Sequence, residues 1–283
     1  MPAPRKSDAQ RLARRVRKGK HADLRDERSA LLPYLAELHN PSTDILSPGP
    51  DSPFSIATYN VHKWGGRAGG RTYAPDRAEA VLRELDADVL ALQEVLRPFE
   101  GNDPLVRIAE HLGYTMAFVC TRLHRRGELG NAVLARWPIA AAFAIDLSFG
   151  KLEQRSALAV QFRGSDLSLT VAATHLALVD RTRERQVKSL LSHPQIANGP
   201  VVLLGDMNAW RRSAADKRLD NEFLSRHHND RWPASYPSIR PIMSLDRAYA
   251  RGAVLKDLRT HTSATARKGS DHLPVLADVH LKI

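Results

Sequence analysis

Carboxylate, amide and imidazole side chains recur at the ends of apolar segments in this chain of 283 residues. Each apolar segment is predicted to be a strand, and a strand end can hold a polar side chain rigidly at a sheet edge, where ligands bind. Taken singly, such residues are better explained as helix caps, turn formers or core hydrogen-bonding groups, so only their joint occurrence indicates a site. The residues concerned are Asn60, Glu94, His175, Asp206, Asn208, Asp246, Asp271 and His272.

This set is rich in oxygen donors and contains no cysteine. Carboxylate and amide oxygens suit Mg²⁺, Mn²⁺ or Ca²⁺ better than Zn²⁺. Histidines beside them suit proton transfer near neutral pH. The combination favours metal-assisted attack of water on a phosphorus centre. Three further histidines, His62, His111 and His193, are expected to have ordinary structural roles.

Other hydrolytic chemistries lack their motifs. The single cysteine, Cys120, ends an apolar strand and is expected to be a structural thiol, so neither an intrachain disulfide nor a cysteine nucleophile is predicted. No Gly-x-Ser-x-Gly segment marks a serine hydrolase. The glycine-rich segment 65–70 lacks the Gly-Lys-Ser/Thr ending of a P-loop and is expected to be a mobile loop near the first strand end.

Two packed sheets with flanking helices are predicted to position these residues. Many apolar segments follow one another without a helix between them, which indicates two sheets rather than one doubly wound sheet and places the chain in the α/β class. Helices are predicted at 75–85, 105–112 and 181–191, and strands at 54–60, 88–93, 114–120, 131–136, 157–162, 167–175, 201–204, 247–250 and 273–281.

The first 52 residues are predicted to form a basic helical extension and a Pro/Ser-rich linker, with residues 53–283 as the catalytic domain. A capping box at 7–10 opens one helix through Lys18, and a second is predicted over 21–38 with an interruption at Pro33. Residues 1–20 hold eight Lys/Arg and one acid. The extension is either a solvated helix or a contact to nucleic acid or an anionic membrane surface.

The net charge is +11, and residues 53–283 carry +8 of it. This excess predicts a polyanionic partner, which is a nucleic acid, an anionic membrane face or a phosphate-bearing substrate. No apolar run reaches the roughly 20 residues that span a bilayer, and no apolar segment of a signal peptide follows the N-terminal basic residues. We therefore expect a cytoplasmic protein without a transmembrane segment, with a position at the inner membrane face as the alternative.

Seven short motifs occur in a fixed order along the chain. Together they resemble the endonuclease/exonuclease/phosphatase superfamily, which includes deoxyribonuclease I, AP endonucleases, inositol-polyphosphate 5-phosphatases and neutral sphingomyelinases. The resemblance covers about residues 54–283 and implies a four-layer α/β/β/α sandwich with two mixed sheets. The motifs are Thr58-Tyr-Asn-Val-His62, Leu92-Gln-Glu-Val95, Gly130-Asn-Ala-Val-Leu-Ala-Arg136, Thr174-His-Leu176, Gly205-Asp-Met-Asn208, Leu245-Asp-Arg247 and Ser270-Asp-His-Leu-Pro274.

The resemblance implies a divalent metal, Mg²⁺ with Mn²⁺ or Ca²⁺ as alternatives. Glu94 would be its principal ligand, with Asn60 beside it and Asp271 as a further carboxylate of the metal site. His272 would be the general base, with its ring oriented by Asp246.

The resemblance also implies the groups that contact the phosphate. Asp206 and Asn208 would orient the attacking water or contact the phosphate and a metal. His175 would hydrogen-bond a phosphate oxygen or act as an acid toward the leaving oxygen. Arg155 and Asn131 would bind the substrate, Arg155 through its planar guanidinium.

The predicted function is a metal-dependent phosphodiesterase that acts on nucleic acid or on a phospholipid or small phosphate ester. The motif Leu245-Asp-Arg-Ala-Tyr249 departs from the usual Leu/Ile-Asp-Tyr/His-Ile, and the motifs are closer to small bacterial members and the sphingomyelinase-like branch than to AP endonucleases. The alternatives are a non-catalytic polyanion-binding module on the same fold and a structural protein. A binding module would be expected to have lost Glu94, Asp206 or His272, and all three are present.

Overall fold

The computed structural model describes residues 22–41, 52–69, 72–150, 154–163, 168–223 and 232–282. Within these ranges His62–Trp64 form one turn of 3-10 helix. The helices are α1 (Ala22–Ser29), α2 (Pro75–Leu85), α3 (Pro104–Leu112), α4 (Asp180–Ser192), α5 (Pro194–Ala197), α6 (Ala214–Phe223) and α7 (Ala266–Gly269). The strands are β1 (Tyr34–His39), β2 (Phe54–Asn60), β3 (Val89–Pro98), β4 (Thr115–His124), β5 (Gly127–Ala135), β6 (Ala141–Asp146), β7 (Ser156–Arg163), β8 (Ser168–His175), β9 (Val201–Asp206), β10 (Asp246–Arg251), β11 (Ala253–Thr260) and β12 (Val275–Leu281).

The strands form two mixed sheets. The larger has the order β1-β4-β5-β3-β2-β12-β11, and the smaller has the order β10-β9-β8-β7-β6. Each sheet contains one parallel pair, β2 with β3 and β8 with β9, and its other neighbours are antiparallel. Helix α2 connects the first parallel pair, and α4 with α5 connects the second. This alternation of hairpins with helical crossovers is the mixture that the sequence predicts.

Four layers follow from how the apolar side chains are buried. The inner faces of the two sheets share one core, to which both sheets contribute fully buried valines. A second core lies between the outer face of the larger sheet and helices α2 and α3, and a third lies between the smaller sheet and helices α4, α5 and α6. The predicted α/β/β/α sandwich with two mixed sheets is therefore confirmed.

The two ends of helix α3 show how the local sequence sets helix boundaries. Pro104 occupies the first turn of α3, and the Asp103 side chain accepts a hydrogen bond from the Leu105 amide. The same helix ends at Gly113, which has a left-handed backbone with φ of 71°. These signals are local, so the helix could be located from sequence to within one residue.

The predicted helix over 21–38 is wrong in its second half. Helix α1 ends at Ser29, and Tyr34–His39 is instead the edge strand β1, antiparallel to β4. The open edge of β4 supplies hydrogen-bond partners that outweigh the local helix preference of this Leu- and Ala-containing segment. Part of the predicted extension thus belongs to the larger sheet. The predicted helix at 7–18 and the linker at 42–51 lie outside the described residues.

None of the described helices combines the length and the apolar character that crossing a bilayer requires.

Gly205 allows strands β8 and β9 to approach closely at the end of the smaller sheet. Its φ is 153°, and a Cβ atom built on it would lie 1.9 Å from the carbonyl oxygen of Thr174. Because the obstacle is backbone, no side-chain rotation can relieve it. Glycine at this position therefore holds the following residue, Asp206, directly beside His175 on the neighbouring strand.

Replacing Gly205 with alanine is expected to lower the free energy of unfolding by roughly 3 kcal/mol or more, because the strands must separate. Denaturant unfolding measures this. Gly199→Ala is the matched control, since Gly199 has a φ of 71° but open space around its Cβ position. The control should cost only about 1 kcal/mol. Equal losses in the two variants would show that the strand approach is not tight.

Cys120 is buried in the core between the larger sheet and its helices, with no exposed surface. Burial and the nearby Glu128 carboxylate raise the pKa of its thiol to about 12. The thiolate is the reactive form, so a structural and unreactive thiol follows.

We expect Ellman's reagent to leave the native thiol unlabelled at pH 8, where a group with this pKa is ionised in only about one molecule in 10,000. In guanidinium chloride the single thiol should react fully and fast. Rapid labelling of the native protein would contradict the burial described here.

Candidate active site

The strand register gathers the predicted residues at one edge of the two sheets. Asp206 ends β9 and is paired with His175 at the end of parallel strand β8. On its other side Asp206 is paired with Asp246, the first residue of antiparallel strand β10. Asn60 ends strand β2 of the other sheet, and its side-chain amide donates to Asp206 Oδ2 at 3.1 Å. The site therefore spans both sheets.

Asp206 is the point where these contacts meet. Its Oδ2 atom lies 3.1 Å from Asn60 Nδ2, 3.4 Å from His175 Nε2 and 3.8 Å from His272 Nε2. Its Oδ1 atom accepts from the backbone amide of Asn208 at 3.0 Å. Burial raises the pKa of Asp206 to about 6; the positive charge of His272 opposes this and the Asp246 carboxylate adds to it.

The His272 imidazole is fixed between two carboxylates and an aromatic ring. Its Nδ1 lies 2.8 Å from Asp246 Oδ2, and its ring centroid is 4.9 Å from that of Tyr236. Its backbone amide donates to Ser270 Oγ at 3.3 Å. Burial alone would lower the pKa of His272, but Asp246 and Asp206 raise it to about 10. Asp206, Asp246 and His272 also form a buried group that could hold a metal ion.

Glu94 lies at an irregularity in strand β3, where its register against β5 shifts between Leu92 and Val95. Its φ of 53° is unusual for a non-glycine residue and re-aims the side chain at the sheet edge. The Lys63 ammonium contacts Glu94 Oε2. Burial raises the pKa of the Glu94 carboxyl, but the nearby His175 and Lys63 outweigh this and lower it to about 2.

The turn at His62–Trp64 delivers the Lys63 ammonium and the His62 ring to the predicted metal carboxylates. Its residues have φ values of 48°, 57° and 60°, an unusual run of left-handed backbone. The turn is anchored by Trp64, whose buried indole donates to the carbonyl of Leu96 at 2.7 Å. His62 Nδ1 lies 3.1 Å from the carbonyl oxygen of Gly66 and 3.3 Å from Asp271 Oδ1, so the ring has the expected structural contact within its turn and also borders the predicted metal carboxylate.

A cleft beside this cluster is lined by Glu94, Asn131, Arg155 and His175. The Asn131 amide donates to the carbonyl of Ser156 at 2.9 Å and so joins the two sheets at the cleft wall. Arg155 Nη1 lies 3.5 Å from His175 Nδ1. Burial, together with the charge of Arg155, lowers the pKa of His175 well below 6.5. The neutral ring then accepts from Arg155 at Nδ1 and donates toward Asp206 at Nε2.

Asn208, two residues after Asp206, has a side chain that is held in place by a hydrogen bond. Its side-chain amide donates to the carbonyl of Leu176 at 2.9 Å, and the residue is buried. This bond joins the loop after β9 to the loop after β8. The two remaining histidines have structural contacts, because His111 pairs with Glu79 and His193 caps helix α5 through Gln195 N.

Arg247, which departs from the usual motif, has a structural contact in this chain. Its guanidinium lies 2.7 Å from Asp216 Oδ1 on helix α6 and donates to the carbonyls of Ser244 and Ala209. It therefore fastens α6 to the loops that precede Asp246 and follow Asn208.

Lys63, Tyr236 and Ser270 are site contacts that sequence reasoning did not single out. The Ser270 hydroxyl donates to the carbonyl of Asn60 at 2.6 Å and so joins two motifs that are distant in sequence. Lys63 lies next to His62 in the first motif, and Ser270 opens the last, so proximity to motifs was the available signal. Tyr236 lies outside every motif and carried no such signal.

The chemistry of the donor set fits a hard divalent cation. The Glu94 carboxylate already pairs with the Lys63 ammonium, and the Asp271 carboxylate lies 3.3 Å from the His62 ring. The carboxamide oxygen of Asn60 lies at the same sheet edge and accepts from His62 N at 3.0 Å. Carboxylate and amide oxygens without a thiolate are the ligands that such a cation prefers.

Comparison with known proteins identifies the family of this chain. The model of the Endonuclease/Exonuclease/phosphatase family matches residues 57–272. The uncharacterized protein YbhP of Escherichia coli K12 is 30% identical over 247 residues, which cover 81% of this chain and 96% of YbhP.

Solved structures share the fold. An endonuclease/exonuclease/phosphatase from Beutenbergia cavernae superposes with a TM-score of 0.63 at 25% identity, covering 81% of this chain and 72% of that one. Its counterpart from Bacteroides vulgatus gives 0.68 at 16% identity, covering 82% and 100%. On the family match, the YbhP relationship and the site geometry, this chain belongs to the endonuclease/exonuclease/phosphatase family.

Proposed function

We propose that this protein is a divalent-metal-dependent hydrolase of phosphate esters, and specifically a phosphodiesterase. The observation that carries the proposal is the buried contact of His272 Nδ1 with Asp246 Oδ2 at 2.8 Å, beside Asp206. A buried histidine or carboxylate lowers stability unless it is paired, and a sheet edge with a purely structural role has little need of either group. Membership in a family named for nucleases and phosphatases supports the same reaction class.

The pair of Asp206 and His272 takes the proton from the attacking water. The two groups lie 3.8 Å apart, and the Asp206 carboxylate is the member of the pair that accepts the proton, because the raised pKa of His272 keeps its ring protonated at neutral pH. Asp246 fixes the ring through Nδ1 and stabilises the imidazolium, which is already present at neutral pH. The proposal thus moves the base from His272, the predicted base, to Asp206, with the protonated His272 ring as its charged partner.

The cleft residues hold the phosphate. Arg155 brings a guanidinium whose planar donors match phosphate oxygens. The pKa of His175 is well below 6.5, so its ring is neutral at pH 7 and carries one N–H, on Nε2. The ring is therefore a hydrogen-bond donor rather than a general acid. Asn131 shapes the same wall, and its Nδ2 bond to Ser156 keeps it in place.

Glu94, Asn60 and Asp271 would hold the metal, for which Mg²⁺ is proposed with Mn²⁺ or Ca²⁺ as alternatives. The ion would supply positive charge that polarises the phosphate oxygens and stabilises the transition state. The low pKa of Glu94, about 2, keeps its carboxylate ionised over the whole neutral range.

Two substrate classes fit a basic protein with this site, nucleic acid and a phospholipid or small phosphate ester. A screen with Mg²⁺ and Mn²⁺ across plasmid DNA, RNA, abasic DNA, phospholipids and inositol phosphates separates them. A soluble chromogenic phosphodiester reports the chemistry without any substrate preference. Absence of hydrolysis across the whole screen would contradict the proposed function.

Glu94→Gln keeps the shape of the side chain and removes its charge, so the Mg²⁺ concentration for half-maximal activity should rise on the order of 10- to 100-fold. Metal titration of the hydrolysis rate measures this. Glu110→Gln, at an exposed position on α3, is the matched control and should leave the titration unchanged. A Glu94→Gln variant with wild-type metal dependence would remove Glu94 from the metal site.

His272→Ala is expected to lower turnover by about 100-fold or more, the usual contribution of general acid–base catalysis. The rate is measured at saturating metal with the chromogenic phosphodiester, and circular dichroism checks the fold. His111→Ala, which removes an exposed histidine on α3, should retain full activity. Unchanged turnover in the His272 variant would contradict the proton-transfer role.

A further inference from the structure

Five large apolar side chains are exposed on the loops that surround the candidate site. Their exposed fractions are 57% for Leu178, 53% for Val179, 48% for Trp210, 60% for Ile239 and 71% for Ile242. We call these five residues the apolar rim. Exposed apolar side chains that are scattered need no explanation, but a cluster around one site marks an interaction surface.

The rim is continuous with the catalytic residues. Leu178 and Val179 follow His175 after strand β8, and Trp210 follows Asn208 after β9. The Trp210 ring is 6.0 Å from that of Tyr236, which in turn lies 4.9 Å from the His272 ring. The rim therefore lies beside His272, with the Tyr236 ring between Trp210 and the imidazole.

The remaining two rim residues, Ile239 and Ile242, belong to a loop that is hydrogen-bonded to Tyr236 and to the backbone beside His272. The Ile242 amide donates to the carbonyl of Tyr236 at 2.9 Å. The amide of Ser238 donates to the carbonyl of Asp271 at 2.7 Å, next to His272. All five side chains thus border one face of the protein.

Hydrogen bonds hold the rim loops outward. Buried Arg183 donates through Nη1 to the carbonyls of Ala177 and Leu178, at 2.9 and 3.1 Å. Arg267 donates likewise to the carbonyls of Ser238 and Ile239, both at 2.9 Å. Because the backbone is fixed, the apolar side chains cannot turn inward without breaking these bonds.

Crossing between two of the loops, Arg211 contacts Asp180 through Nε and Nη2, at 3.2 and 3.1 Å. This ion pair links the loop that bears Trp210 with the loop that bears Leu178 and Val179. The rim is therefore a preorganised surface rather than a set of independent loop tips.

Positive charge accompanies the rim. Arg181 and Arg240, adjacent in sequence to rim loops, are exposed, and neither has an ion pair within the described ranges of the chain. The exposed Arg212 follows Trp210 in the same loop and lies 3.5 Å from Asp220. With the overall charge of +11, this face complements an anionic surface.

We propose that the apolar rim docks the protein on an anionic phospholipid bilayer, with the candidate site facing the headgroups. The inference rests on the proposed function and narrows its substrate to a phosphate ester held at the lipid–water interface. Aliphatic side chains enter the headgroup and acyl boundary, tryptophan prefers that boundary, and arginine attracts the phosphates.

A nucleic acid fits this rim less well. Single-stranded nucleic acid is bound by rings that stack on bases and by cations along the backbone. Four of the five rim residues are aliphatic and cannot stack, so only Trp210 would contribute. Apolar aliphatic surface gains most from contact with hydrocarbon.

The test is sedimentation of the full chain with vesicles of phosphatidylglycerol and phosphatidylcholine, compared with pure phosphatidylcholine. Replacing two aliphatic rim residues together, Leu178→Ser and Ile242→Ser, should weaken binding to the anionic vesicles by about tenfold or more. Trp210 stays in this variant as a fluorescent probe of depth. In the wild-type protein its emission should shift to the blue on binding, and brominated lipids should quench it.

The matched control replaces Leu31 and Leu38 with serine, two exposed leucines beside and on the edge strand β1. This variant should bind vesicles as the wild type does. Equal weakening by both double variants, or vesicle binding without a change in Trp210 emission, would overturn the rim as the docking face. No binding to anionic vesicles, or tighter binding to single-stranded DNA that depends on Leu178 and Ile242, would overturn the lipid assignment.

Binding is measured in the His272→Ala background as well, so that it does not depend on turnover. Failure of the proposed function would leave vesicle binding intact while no phosphate ester is hydrolysed. Failure of the docking inference would leave hydrolysis of the chromogenic phosphodiester intact while the rim substitutions have no effect on vesicle binding.

Discussion

The close approach of strands β8 and β9 is the constraint on which the site depends. Gly205 permits it, and the register then sets His175, Asp206 and Asp246 side by side on three neighbouring strands. The larger sheet adds to this cluster through Asn60 at the end of strand β2, whose side-chain amide donates to Asp206. The site therefore lies where strand ends of the two packed sheets meet.

The site is acidic, whereas the protein as a whole has a net positive charge. Four acidic residues, Glu94, Asp206, Asp246 and Asp271, are gathered in a protein whose net charge is +11. Their mutual repulsion is relieved by two cationic partners, Lys63 and His272. A site of this kind prefers a cation in its interior, while the surrounding surface attracts anions.

Much of the fold was predictable because its signals are local. Apolar runs with polar ends identified the parallel strands, and a proline with a glycine bounded α3. Elements set by tertiary pairing were missed: β6 spans Ala141–Asp146, whose alanines disfavour a strand, and it depends on pairing with β7. The edge strand β1 was missed for the same reason.

The candidate site was predictable only as a set of residue types. Sequence placed Asp206 and His272 at strand ends, but the distance between them follows from packing across the sheets. Tyr236 gave no sign of its role, and Lys63 only its place beside the first motif, because their contacts join residues far apart in sequence. The apolar rim was likewise hidden, since exposure is a property of the folded chain.

Strand β1 has a consequence for handling the protein. It covers the edge of β4, with Tyr34 opposite Cys120 and its hydroxyl donating to Glu128 at 2.6 Å. A truncated gene that starts near residue 53, at the predicted start of the catalytic domain, leaves the backbone amides and carbonyls at this edge of β4 without their partners. Exposed edges of this kind pair with other chains, so poor solubility of such a fragment would reflect a lost strand rather than an unstable catalytic core.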